Sequence, residues 1–177
     1  MRHLIVLPGN SLKNKAWGKL IVEHYAPKYD SSFLLTYDHW VSGESNINFV
    51  TEAKKLQDHV DSLALGTEIT LFAKSAGSLL GLILIHNKVV KPIRAVFFGV
   101  PLDLAADSLF KDSWSAVSEL TMPSIAFHNL ADPTTSYEFT KSTFAMHNPN
   151  IKLITTNEVD HWYGDFETYD PYIYIIN

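Results

Sequence analysis

The chain has 177 residues, 46% hydrophobic and 12% aromatic, with a formal net charge of −5 at pH 7 and no cysteine. That length and apolar content suit one packed domain spanning residues 1–177 and exclude a disordered chain. The acidic balance, with no Lys/Arg run, argues against a nucleic-acid partner. The missing thiols exclude disulfides, thiolate zinc sites and a cysteine nucleophile, and they fit a reducing, cytoplasmic location.

Apolar runs alternate with helical periodicity, the pattern of a mainly parallel sheet with crossover helices. Leu4–Leu7 reads as the first strand, broken by Pro8-Gly9; it is too short for a signal-peptide core. Lys15–Tyr25 carries Trp17, Leu20, Ile21 and His24 on one side of a helix, with Pro27 beyond its end. Ser32–Tyr37 is the second strand. Ile47–Leu65 is a long amphipathic helix stopped by Gly66. Glu68–Ala73 is the third strand, and Ala76–Asn87 a helix apolar nearly all round. Ile93–Gly99 is a strand, Leu104–Val117 is helical with loop character near Asp112-Ser113, and Pro123–Phe127 is a strand. Ser136–Met146 is a helix and Ile151–Ile154 the sixth strand. His161–Asn177, rich in aromatics, reads as a terminal helix and an extended tail, open to packing on its own domain or on a protein partner. No apolar run is long enough to span a bilayer.

The richest segment is Ile69-Thr70-Leu71-Phe72-Ala73-Lys74-Ser75-Ala76-Gly77. A β-prone run ends in small-x-Ser-x-Gly and passes straight into a helix, the layout that presents a serine on a tight turn. A serine at positive φ forces its neighbours two positions away against adjacent backbone, so they must be small, as Ala73 and Gly77 are. The helix N-terminus then faces any anion formed at the serine. A bland alternative is a loop serine that caps a helix. Lys74 is expected to point away to solvent; a cation there would otherwise favour a deprotonated nucleophile.

A serine hydroxyl needs a histidine base, and the histidine a carboxylate. In an open parallel sheet such groups lie at the carboxyl ends of strands. Asp132 follows the fifth strand in His128-Asn129-Leu130-Ala131-Asp132-Pro133, and His161 follows the sixth; each also has a plainer reading, as an Asp-Pro turn and as a packing histidine. His128 is the rival base, but it sits at a strand end too close in the chain to Asp132. Trp40, after the second strand, and Trp162 are candidates to line a substrate pocket, though packing serves equally. Asp38-His39 has no second ligand cluster, so no metal site is expected.

On these segments the chain resembles the α/β-hydrolase superfamily, and is similar to small, lidless serine hydrolases of the retinoblastoma-binding-protein-9 type. The resemblance covers nearly the whole length in element order and is specific at Leu7-Pro8-Gly9-Asn10, Ala73-Lys74-Ser75-Ala76-Gly77 and the Asp132 and His161 loops. It implies a three-layer α/β/α sandwich without a cap domain and a Ser75–Asp132–His161 triad in the superfamily's chain order. It also implies an oxyanion hole from the Asn10 and Ala76 backbone amides, and a cytoplasmic carboxylesterase-like enzyme. The expected substrate is a small ester, thioester or amide, and no cofactor is required. Pro8 stands where the superfamily commonly has His, and Ala73 where it has Gly. These departures keep open a catalytically inactive binding or interaction protein of the same fold. A nucleotide-binding domain fits poorly, because Gly9 stands alone after the first strand.

Overall fold

The computed structural model describes residues 1–103 and 112–174. Six apolar segments form strands: β1 (Arg2–Leu7), β2 (Ser31–Leu34), β3 (Glu68–Lys74), β4 (Arg94–Phe98), β5 (Ser124–Asn129) and β6 (Lys152–Thr156). They lie in the order β2-β1-β3-β4-β5-β6, and every pairing is parallel. The chain moves outward from β1 to β2, returns past β1 to β3, and then proceeds steadily to β6. The reversal leaves a crevice at the carboxyl ends of β1 and β3, the place where open α/β sheets bind ligands.

The helices are α1 (Lys13–Tyr25), α2 (His39–Ser42), α3 (Phe49–Ser62), α4 (Ala76–His86), α5 (Asp112–Glu119), α6 (Tyr137–His147) and α7 (Phe166–Ile173). Strand alternation sends Ile5, Leu7, Leu71, Ala73, Ala95, Phe97 and Ala126 to one face, which α3, α4, α5 and α6 cover. Leu4, Val6, Phe72, Val96, Phe98, Ile125 and Phe127 face the other way, onto Trp17, Ile21 and Tyr25 of α1 and Tyr169 and Ile173 of α7. The result is a three-layer α/β/α sandwich. Because both faces are covered, the inner strands read as continuous apolar runs. Among the described residues there is no cap domain, and no helix is long and apolar enough to cross a membrane.

Several boundaries differ from expectation. β2 ends at Leu34 and does not run to Tyr37: the Tyr37 hydroxyl donates to Pro8 O at 2.6 Å, which draws that residue over the end of β1. The one-turn α2 is unannounced in the sequence and ends at Gly43, φ +79°. α3 begins after Asn48, whose side chain accepts from Thr51 N, and ends at Ser62 because Leu63 turns extended. Of the helix expected over 104–117, the part from Asp112 is helical, and it continues to Glu119; residues 104–111 lie outside the described residues, as does the expected tail at 175–177.

Candidate active site

Ser75 joins β3 to α4 with φ +54° and ψ −127°. A non-glycine residue there is strained by about 1–3 kcal/mol and persists only if its surroundings hold it. They do: Ser75 N donates to Phe98 O at 2.9 Å and Ser75 O accepts from Ser78 N at 2.8 Å. Gly77 has no room for a side chain, since a Cβ would lie 2.3 Å from the carbonyl oxygens of both Leu7 and Pro8. This close approach seats the start of α4 on the end of β1. Ala73, in place of glycine, fits because its methyl faces Gly81 on α4.

Asp132 and His161 meet. His161 Nδ1 donates to Asp132 Oδ2 at 2.6 Å, with the carboxylate fully buried and the imidazole 16% exposed. The other carboxylate oxygen, Oδ1, accepts from the amides of Thr134 (2.8 Å) and Thr135 (3.3 Å). Burial pushes the Asp132 carboxyl up, but the bonds from His161, Tyr163 and the Thr134 amide outweigh it and hold the group below the usual carboxylate range. Asn129 ties the two loops together: its Nδ2 donates to Asp160 O at 2.7 Å and its Oδ1 accepts from Thr156. His161 Nε2 is buried with no hydrogen-bond partner. The imidazole stands over the corner that also anchors Ser75: a Cβ on Gly99 would lie 2.8 Å from His161 Cε1, and Phe98, the preceding residue, bonds Ser75 N. Ser75 and His161 are not hydrogen-bonded to one another.

Gly9 packs directly on Ser75; a Cβ there would lie 3.0 Å from Ser75 Cβ. Asn10 follows and is clamped from three sides. Its carbonyl accepts from Trp40 Nε1 (2.8 Å) and His39 Nε2 (2.7 Å), and its Oδ1 accepts from Ile47 N (2.9 Å). The amides of Asn10 and Ala76 have no acceptor among the described residues. Both belong to backbone that abuts Ser75, so the pair can receive an oxyanion.

Of the other candidates, Trp40 borders the Gly9–Asn10 turn. Trp40 is half-buried and spends its indole N–H on Asn10, while Trp162 folds back over Gly164 and packs on the α1/α7 side. His128 is buried beneath the Asp132 loop, its Nε2 3.3 Å from Thr135 O, and burial lowers its pKa. Asp38 pairs with Lys55. Among the described residues no three His, Asp or Glu side chains gather closely enough for a metal. The expectation for Lys74 needs correction: the side chain is 2% exposed. Strand alternation directs it with Phe72 into the face that α1 covers, where its Nζ donates to Asn14 Oδ1 at 2.5 Å. Sequence reasoning also missed Tyr163, whose hydroxyl donates to Asp132 Oδ2 at 2.6 Å and accepts from Asn129 N. Its only sequence signal was a place two residues after His161. A cavity of about 390 Å³ lined by Arg2, Lys28, Glu68 and Arg94 lies at the amino ends of the strands, away from all these groups, so side-chain chemistry and not cavity size marks the site.

No protein-family model matches the chain, and no curated protein is similar to it in sequence. Solved structures do resemble it. Alpha/beta hydrolase domain-containing protein 10 from mouse superposes with a TM-score of 0.72 at 16% identity, over 99% of this chain and 90% of that one. An esterase from Pyrococcus furiosus gives 0.75 at 15% identity, over 99% and 79%. Acyl-protein thioesterase 2 from Zea mays gives 0.67 at 14% identity, over 98% and 92%. The chain has the α/β-hydrolase fold.

Proposed function

From that fold as premise, we propose that the chain is a serine hydrolase that cleaves a small carboxylic ester, thioester or amide. One observation carries the reading: a serine held at positive φ on a strand–helix turn, with a carboxylate-bound histidine over the same corner whose Nε2 is buried and unpartnered. With Nδ1 donating to Asp132, Nε2 is the nitrogen left to accept the serine's proton. The mouse, Pyrococcus and maize proteins are named as a hydrolase, an esterase and a thioesterase, which agrees with acyl transfer.

Ser75 Oγ attacks the substrate carbonyl carbon and gives its proton to His161 Nε2. Asp132 keeps the imidazole in the Nδ1–H tautomer and stabilises the imidazolium. The carbonyl oxygen, now an anion, accepts from the Asn10 and Ala76 amides. Collapse breaks the bond to the leaving group, which departs with the proton from Nε2. A water, deprotonated by His161, then splits the acyl-serine and restores Ser75. The lack of a cap among the described residues favours small, soluble esters, as for a carboxylesterase. These steps call on no metal or organic cofactor.

The test is the intact mass after incubation with a fluorophosphonate. One adduct is expected on the wild type and none on Ser75→Ala, which should also lose ester hydrolysis by at least about 10³-fold. A folded wild type that takes no adduct would leave the fold serving a binding role instead.

A further inference from the structure

Lys74 is a buried cation with no carboxylate in ion-pair contact among the described residues. Buried ammonium groups are normally paired, because desolvation penalises the bare charge. Among the described residues its one hydrogen bond goes to Asn14 Oδ1 at 2.5 Å, and Trp17 lies 5.7 Å away across the face of its ring. An ammonium can only donate, so it fixes which end of the Asn14 carboxamide faces it. Asn14 Nδ2 is thereby turned to Ser11 Oγ at 3.0 Å, while Asn14 N bonds Ser11 O at 2.8 Å. The carboxamide in turn backs the Gly9 turn: a Cβ on Gly9 would lie 2.7 Å from Asn14 Nδ2 and 3.0 Å from Ser75 Cβ. Gly9 is thus held between the nucleophile and an amide that Lys74 orients.

We infer that Lys74 is a positioning residue for the reaction of Ser75: as an ammonium it holds Asn14, and through Asn14 the Gly9–Asn10 turn that presents the oxyanion amide. The inference rests on the hydrolase reading above. A charge-assisted bond is roughly twice as strong as a neutral one, so loss of the proton slackens the turn. Asn14 and Trp17 meet the ammonium from α1, and the fields of Asp132 and Asp160 reach it from the loops after β5 and β6. Burial lowers its pKa and the two aspartates oppose that, leaving it at about 8. The proton is therefore lost within a range where the protein can be assayed.

The experiment is the rate of fluorophosphonate adduct formation between pH 6.5 and 10 on wild type, Lys74→Met and Asn14→Asp, each checked by thermal melting. In the wild type the rate should fall by about tenfold as pH rises through Lys74's titration. Lys74→Met should be slower by a similar factor near neutral pH and lack that fall. Asn14→Asp puts a carboxylate on the ammonium, and should move the fall up by about one unit or more. A merely structural strut would slow the reaction equally at every pH. A fall that survives Lys74→Met, or that Asn14→Asp does not move, overturns the inference and leaves the hydrolase reading intact. No adduct on the wild type at any pH overturns both.

Discussion

Asp132 Oδ2 carries two donors, and they do different work. In the proposed reaction His161 is the group that changes charge, whereas Tyr163 keeps its proton, because burial and the neighbouring carboxylate raise its pKa far above the physiological range. Tyr163 therefore acts as a fixed stop for the carboxylate, and it holds the Asn129 amide at 3.1 Å on its other side. Tyr163→Phe removes both bonds and leaves a buried N–H unsatisfied, so it should lower stability by about 1–3 kcal/mol. Adduct formation at Ser75 should slow several-fold as Asp132 gains freedom. Denaturant titration and labelling kinetics check the two effects, and an unchanged labelling rate would deny Tyr163 any part in setting the acid. Residues like this one escape a reading of the chain. Ser75, Asp132 and His161 can be singled out as candidates because acyl transfer demands those side-chain types at strand ends, in one chain order; of them the structure joins Asp132 to His161 and sets Ser75 at positive φ. Tyr163 and Asn14 act only through space, and phenols and carboxamides of the same kind occur throughout the sequence. Lys74 misled because a lysine beside a turn reads as solvated; only the helix cover on both faces of β3 makes that position an interior one.

Elements were legible where apolar periodicity was unopposed, as in β1, β3, β4, β5 and α4, and less so where one contact outside the element sets its end. Tyr37 leaves the line of β2 because its hydroxyl finds Pro8 O, and α2 exists to bring His39 and Trp40 onto Asn10. The docking of α3 on the sheet edge shows another contact of this type. His3 of β1 and His59 of α3 place their Nε2 atoms 2.9 Å apart, His3 Nδ1 bonds Ser31 Oγ, and Phe33 stacks on His59 with ring centroids 3.9 Å apart. One imidazole must donate and the other accept, so the contact survives protonation of one ring at most. Burial lowers the pKa of both, and the nearness of His59 lowers His3 further, from an ordinary value of 6.5. The unfolded chain then binds more protons than the folded one below that value. This contribution to stability is complete above about pH 6.5 and is lost as pH falls through the lowered folded values. The melting temperature should therefore fall between pH 7 and 5, and less steeply in His59→Gln. Equal slopes in the two proteins would show that the pair does not couple α3 to acid. Buried His128, whose pKa is also lowered, supplies a remaining slope in the variant.

At the scale of the molecule, the site depends on strands of unequal security. The nucleophile turn follows β3, which is paired on both sides by β1 and β4 and covered by α4 on one face and α1 on the other. Asp132 follows β5, an inner strand too, but His161 follows β6, an edge strand paired only with β5 and largely half-buried or exposed. β2, at the opposite edge, is as thinly covered. Edge strands open locally at a fraction of the global free energy, whereas central ones exchange their amides only when the whole sheet unfolds. In the proposed reaction the nucleophile is thus mounted on the stable centre and the base on a segment able to shift. That arrangement suits the proposed reaction, in which His161 Nε2 must come within hydrogen-bond reach of Ser75 Oγ. Hydrogen exchange read by mass spectrometry should show the peptides of 68–74 and 94–98 exchanging last, and those of 31–34 and 152–163 well before them. A phosphonylated Ser75 should then slow exchange across 152–163 while leaving 31–34 unchanged, because only the former carries the base. Protection of β6 equal to that of β3 in the free protein would mean that the base is held as rigidly as the nucleophile, and that the open Ser75–His161 geometry closes by motion of Ser75 alone.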